Sequence, residues 1–317
     1  MAINIIICGL LHKRPHVFAE ALEQYRLLKE EGIVNKIIYS TWTGTKLIDN
    51  LDQNLHNAGG YQVETNPPKG DPGPGHLWYQ IRALERGMEE CEENDFIFKT
   101  RIDHITYPHF LRHLFEDPEK YLAISPNDIL SHKIWIPWAE ITRPFYIGDE
   151  VFYSSYATLK KFTHYDRSYD PEWSPHVIRF IHPFIDKYPK LKAYIRKKDP
   201  VIEQHTSLFN WTRKERFTKI FTDFENDIGY LANYYYVLYK YFRIEQLRKA
   251  ISFPGHQYVR EKRLINNNKF TENFNEDKCC WRNLIFCYDD TWIHNIITGK
   301  LNHDRFAKRI HEIAQQL

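Results

Sequence analysis

The first third of the chain alternates short apolar runs with helical stripes. Ile3 to Cys8 is an apolar run with four isoleucines, closed by Gly9, and predicts a buried strand. Between Pro15 and Gly32, residues Val17, Phe18, Ala21, Leu22, Tyr25 and Leu28 recur on one helical face. Ile37 to Trp42 reads as a second strand, so the chain opens with a βαβ unit whose crossover is expected to be right-handed. Tyr61 to Thr65 predicts a third strand. His76 to Cys91 predicts a helix with Leu77, Ile81, Leu84, Met88 and Cys91 turned inward, flanked at its start by Gln80 and Arg82. Phe96-Ile97-Phe98 follows as a strand buried on both faces. Further on, Tyr121 to Ser125 and Val151 to Ser154 read as strands, Ile134 to Trp138 and Glu140 to Tyr146 as an edge or hairpin, and Thr158 to Phe162 as a helix start.

From Asp166 the pattern changes. Helical spacing is expected over Val177 to Lys192, His205 to Phe221, the Tyr-rich stretch Phe224 to Ile251, and most of the remainder. These patterns imply an α/β class with a mostly parallel sheet flanked by helices, and a helical C-terminal subdomain. The expected division is 1–210 and 211–317.

Composition narrows the function. With 43 basic against 41 acidic residues the chain lacks the basic excess of a nucleic-acid binder. No run approaches the roughly 20 apolar residues that cross a bilayer. Met1 to Leu11 lacks a signal peptide's basic start, and the five cysteines are odd in number and sparse, so the cytoplasm is the expected compartment. Cys279, Cys280 and Cys287 with His294 lack zinc spacing and read as buried thiols. The Tyr230 to Phe242 stretch, with Arg248, Lys249, Arg260 and Arg263 after it, admits a buried helix, a peripheral membrane contact or a homodimer face; the oligomeric state stays open.

Candidate chemistry gathers where the fourth apolar run ends. Lys99, Arg101 and Asp103 alternate, so an extended chain puts them on one side. In open α/β sheets, ligands bind beyond the carboxyl ends of strands, and two cations with a carboxylate suit a diphosphate, with or without a metal. The competing account is a solvated strand end. Thr43-Gly44-Thr45 and the loop Asn66 to Gly75 leave other strand ends toward the same crevice. No G-x-G-x-x-G or Walker loop is present, which excludes the common dinucleotide and P-loop designs.

Ile38-Tyr39-Ser40-Thr41-Trp42 with its small-residue loop, Gln80-Ile81, Phe98-Lys99-Thr100-Arg101-Ile102-Asp103 and Glu203-Gln204 stand in an order that resembles the WavE-type lipopolysaccharide and capsule synthesis family. Those proteins resemble GT-A glycosyltransferases. The resemblance spans roughly residues 1–210, and Lys-Thr-Arg-x-Asp is its best motif. It implies a GT-A-like (Rossmann-like) fold, a nucleotide-sugar donor, and a saccharide or lipid-linked saccharide acceptor belonging to a bacterial surface polysaccharide. Thr41, Trp42, Thr43, Gln80, Lys99, Arg101 and Asp103 are the expected donor-site residues. The Asp-x-Asp motif of GT-A enzymes is altered here, with Arg101 in place of the first acid. Two outcomes follow: Asp103 alone holds a divalent metal (Mn or Mg), weakly, which is the favoured expectation, or Lys99 and Arg101 meet the phosphates directly. Inverting transfer, expected over retaining, needs a carboxylate base; Glu203 comes first, then Asp149 and Glu150 in their Gly-containing turn. Competing functions are a non-catalytic nucleotide- or glycan-binding protein of this fold and a sugar nucleotidyltransferase.

Overall fold

The structure, a computed structural model, describes residues 1–9, 15–48, 50–69, 77–140, 145, 147–148, 150–163, 181–188, 190–191, 228–245, 251–252, 286–287, 290–301 and 305–317. They fall into two compact units. The first draws on Met1–Pro137, Gly148–Tyr165 and Gln246–Gln257, the second on Trp138–Ile147, Asp166–Glu245 and Tyr258–Leu317. The expected division at residue 210 lies outside the described residues.

In the first unit the apolar runs become strands: β1 (Ile3–Cys8), β2 (Lys36–Trp42), β3 (Gly60–Thr65) and β4 (Phe96–Arg101). They pair in parallel, because helices α1 (Pro15–Glu30), α2 (Leu51–Asn57) and α3 (Leu77–Met88) carry the chain back between them. The buried face of α1 consists of the six residues that its periodicity picks out, Val17 through Leu28. The short strand β5 (Ile105–Thr106) and helices α4 (Pro108–Phe115) and α5 (Pro118–Tyr121) follow, then β6 (Ile134–Ile136). After β7 (Ala139–Glu140), which belongs to the second unit, come β8 (Phe152–Ser155) and α6 (Tyr156–Thr163). The main-sheet strands of this unit stand in the order β3-β2-β1-β4-β8-β6. β8 runs antiparallel to both β4 and β6. This is the expected GT-A-like, Rossmann-like design, a largely parallel sheet flanked by helices.

The two sheet faces differ. Ile5, Ile7, Tyr39, Phe96, Phe98 and Tyr153 belong to one buried core with α1 and α4. The other face, with Ile6, Ser40 and Lys99, lies under α3: Ser40 Oγ donates 2.6 Å to the Ala83 carbonyl. Gly87 lets α3 come this close, since a Cβ there would stand 2.5 Å from Ile6 Cγ2.

One expectation is corrected here, and one helix was not foreseen. Tyr121 to Ser125 is not a strand; Tyr121 closes α5, whose start is fixed by Pro118 at its first turn and Asp117 accepting from the Lys120 amide. Helix α2 went unpredicted because only Leu51 and Leu55 are buried on it, too few to show a period.

The second unit holds α7 (Ile228–Tyr241), β9 (Phe242–Ile244), α8 (Thr291–Ile297) and α9 (Arg305–Ala314). The Tyr-rich helix is shorter than predicted, passing into a strand at Phe242. Tyr230, Tyr234, Tyr235 and Tyr241 are buried, Tyr236 and Tyr239 half-buried. The first rings pack against aromatic neighbours, Tyr234 on Phe145 (5.0 Å) and Tyr235 on Trp292 (5.4 Å). The burial that the first of the three accounts expects is present in this helix. Among the described residues no helix is long and apolar enough to cross a membrane. The basic positions Arg248, Lys249, Arg260 and Arg263 lie outside the described residues.

Candidate functional site at the carboxyl end of the sheet

β1 and β4 end together. Cys8 stands opposite Arg101, and the Ile102 amide donates 3.1 Å to the Cys8 carbonyl. Gly9, with φ +118°, then takes the chain out of β1 in a conformation that a side chain would strain. Beyond Arg101 the backbone turns, with the His104 amide on the Arg101 carbonyl at 3.1 Å.

This turn brings Asp103 back onto Arg101. Arg101 Nε donates to Asp103 Oδ1 at 2.9 Å and Nη2 to Oδ2 at 2.7 Å, a two-pronged ion pair. The side chains keep 38% and 35% exposure. His104 is buried, with Nε2 3.7 Å from Asp103 Oδ1. Alternation along the strand identified these residues, whereas their direct pairing depends on the chain turning at Ile102.

Lys99 shares the Arg101 face but not its exposure. Its side chain is wholly buried, the ammonium donates 3.1 Å to the Glu150 carbonyl, and it lies 5.1 Å from the Phe152 ring centre. Register explains this: Lys99 pairs with Phe152 on the antiparallel β8, so the lysine spans to the turn that precedes β8. Glu150 is half-buried; Asp149, before it in the sequence, lies outside the described residues.

On the β2 side, hydroxyls tie the strand end to the loop after it. Tyr39 Oη donates 3.0 Å to the Gly9 carbonyl and stands 3.3 Å from Thr41 Oγ1, which in turn donates 3.2 Å to Thr45 Oγ1. Burial pushes the Tyr39 phenol up to about 12, with the Thr41 hydrogen bond acting in the opposite direction. Thr41 is buried. Trp42 is half-buried and meets the edge of Tyr79 at 5.2 Å. Thr43 is exposed; its amide donates to the Thr65 carbonyl at 3.0 Å. Glu64 accepts from the Gly44 amide at 3.0 Å, and Gln62 Nε2 donates to the Thr45 carbonyl at 3.0 Å. Gln80 is half-buried in the first turn of α3, beside Tyr79. Tyr79, Gln62, Glu64 and His104 are the site residues that sequence patterning missed. Tyr79 had a signal, its position beside Gln80; Gln62 and Glu64 read as the polar half of an alternating strand.

The favoured base, Glu203, lies outside the described residues, as do Lys13, Arg14, His176, His205, Cys279 and Cys280. Metal fit can be judged at Asp103. Both its oxygens accept from Arg101, so a divalent cation there has to displace a guanidinium. Among the described residues no group of three or more His, Cys, Asp or Glu is placed to hold a metal ion.

No family model matches the chain, so the likeness to the WavE-type family rests on its motifs alone. No curated protein matches it either. Among solved structures it overlaps HddC from Yersinia pseudotuberculosis at 13% identity and a TM-score of 0.32, covering 56% of this chain and 84% of that one. It overlaps S. aureus TarS 1-349 at 13% identity and 0.35, covering 88% and 92%. A mannose-6-phosphate isomerase from Helicobacter pylori overlaps at 10% identity and 0.27, covering 53% and 77%. Overlaps this loose carry no argument about the chemistry of this chain.

Proposed function

We propose that the chain is a nucleotide-sugar-dependent glycosyltransferase that extends a bacterial surface polysaccharide, lipopolysaccharide or capsule. The observation that carries this is the position of Arg101 and Asp103. They are a half-exposed charged pair at the carboxyl end of a central strand, beside the ends of β1 and β2, where open α/β sheets take their ligands. Trp42, Tyr79 and Gln80 offer an aromatic and amide wall at the β2 end, of the kind that accepts a nucleoside.

In the proposed inverting reaction an acceptor hydroxyl attacks the anomeric carbon. Its proton passes to a carboxylate, Glu203 or Asp149, while the bond to the nucleoside diphosphate breaks and its electron pair leaves with the phosphate. The charge that grows on that leaving group needs a fixed cation or a metal opposite it. Lys99 holds the carbonyl of Glu150, the residue after Asp149 in the sequence.

A panel of nucleotide sugars, tested for transfer and hydrolysis with wild type and Asp103→Ala, checks the proposal. The expected result is turnover of one donor class and a loss of about tenfold or more in the variant. Binding of a donor without turnover would indicate a non-catalytic binding protein. Absence of any binding, with Asp103→Ala unchanged, would sink the enzyme assignment.

A further inference from the structure

We propose that Arg101 is the group that meets the donor's diphosphate and that Asp103 is its positioning residue rather than a metal ligand; this rests on the glycosyltransferase function proposed above. Of the two cations on the Lys99 face, Lys99 is wholly buried, whereas Arg101 keeps 38% of its side chain in solvent. A guanidinium is planar with five N–H donors and matches phosphate oxygens two at a time. A long flexible side chain meets a ligand well only if its orientation is set beforehand. Asp103 sets it: the bonds of 2.9 and 2.7 Å occupy one edge of the fork and fix its plane at the strand end.

The same contacts argue against a cation at Asp103. Its two oxygens face Arg101, and among the described residues the His104 ring is the other group within ion-pair range, at 3.7 Å. A divalent ion would have to take the carboxylate from a bidentate partner and then sit beside that partner's positive charge. Arg101 supplies positive charge without that exchange, and it stands where part of an Asp-x-Asp metal motif is expected.

Calorimetric titration with UDP, GDP, CDP and dTDP, with magnesium or manganese and then with EDTA, tests this. Wild type is expected to bind at least one of them with an affinity unchanged within about twofold by EDTA. Arg101→Gln should weaken that binding about 10- to 100-fold. Arg101→Lys, which keeps the charge and loses the fork, should fall between and remains informative if Arg101→Gln does not fold by circular dichroism. Asp103→Asn should weaken binding by a smaller factor, identical with and without metal, with its circular dichroism and urea midpoint unchanged. Wild-type binding that requires the metal and disappears in Asp103→Asn but survives in Arg101→Gln would overturn this inference alone. Failure of every nucleotide to bind wild type would take the donor assignment down with it.

Discussion

Asp95 shows how a single buried carboxylate closes the other end of the central strand. It accepts from the Ala2 amide at 3.0 Å, Asn4 Nδ2 at 2.7 Å and the Glu92 amide at 3.0 Å, which pins β1 and the α3–β4 connection to one point. Hydrogen bonds to a charged group contribute more than neutral ones, and a buried amide left without its acceptor is costly. Asp95→Ala should destabilise the protein by about 3 kcal/mol, read as a shift of the urea midpoint with an unchanged slope. Arg101 and Asp103, at the opposite end of the same strand, are half-exposed, so their substitutions should act on ligand binding with little effect on stability.

At the scale of elements, the fit of α3 on the sheet decides how the β2 end is furnished. The helix approaches β1 at Gly87, and Ile6 beneath it is wholly buried and β-branched, with no flexible end to swing aside. Alanine gains about 1 kcal/mol of helix propensity over glycine, but its Cβ at 2.5 Å from Ile6 Cγ2 forces the helix outward. Gly87→Ala is therefore expected to be destabilising by about 1–2 kcal/mol net in chemical denaturation. Because Tyr79 rides on the same helix, tryptophan fluorescence from Trp42 should change as well. A stabilised Gly87→Ala protein would mean that α3 is free to ride higher on the sheet.

For the molecule as a whole, buried acids that stay neutral set the response to alkali. Burial pushes the Tyr25 phenol up to about 12. It likewise raises Tyr39 and Cys91 to about 12, and Tyr153 well above its usual value. Above pH 9 to 10 the unfolded chain gives up these protons while the folded chain keeps them. Stability is then fully present below the ordinary values of 9.0 and 10.0 and is lost as pH rises toward the folded ones. Each such group contributes a slope of about 1.4 kcal/mol per pH unit. Denaturation series at several pH values should show a plateau to about pH 9 and a steep fall between about 10 and 12. A plateau persisting to pH 11 would mean that these side chains are hydrated in solution.

Periodicity determined the elements β1, β2, β4, α1 and α3, because each buries a continuous apolar face, and β3 through its alternation. It also determined that Lys99, Arg101 and Asp103 cluster at one strand end. Only tertiary structure decided what each does. Lys99 is buried because β8 happens to pair antiparallel beside it, a long-range choice that no local pattern encodes. Asp103 meets Arg101 because the chain turns at Ile102, where Gly9 and the Cys8 carbonyl hold it. The hydroxyl chain from Tyr39 to Thr45 was equally hidden, since a polar strand-end residue looks the same in sequence whether it faces a ligand or a neighbouring oxygen. Local sequence sets which face a side chain leaves from; the neighbours that fold against that face set whether its charge is spent inside the protein or offered outside it.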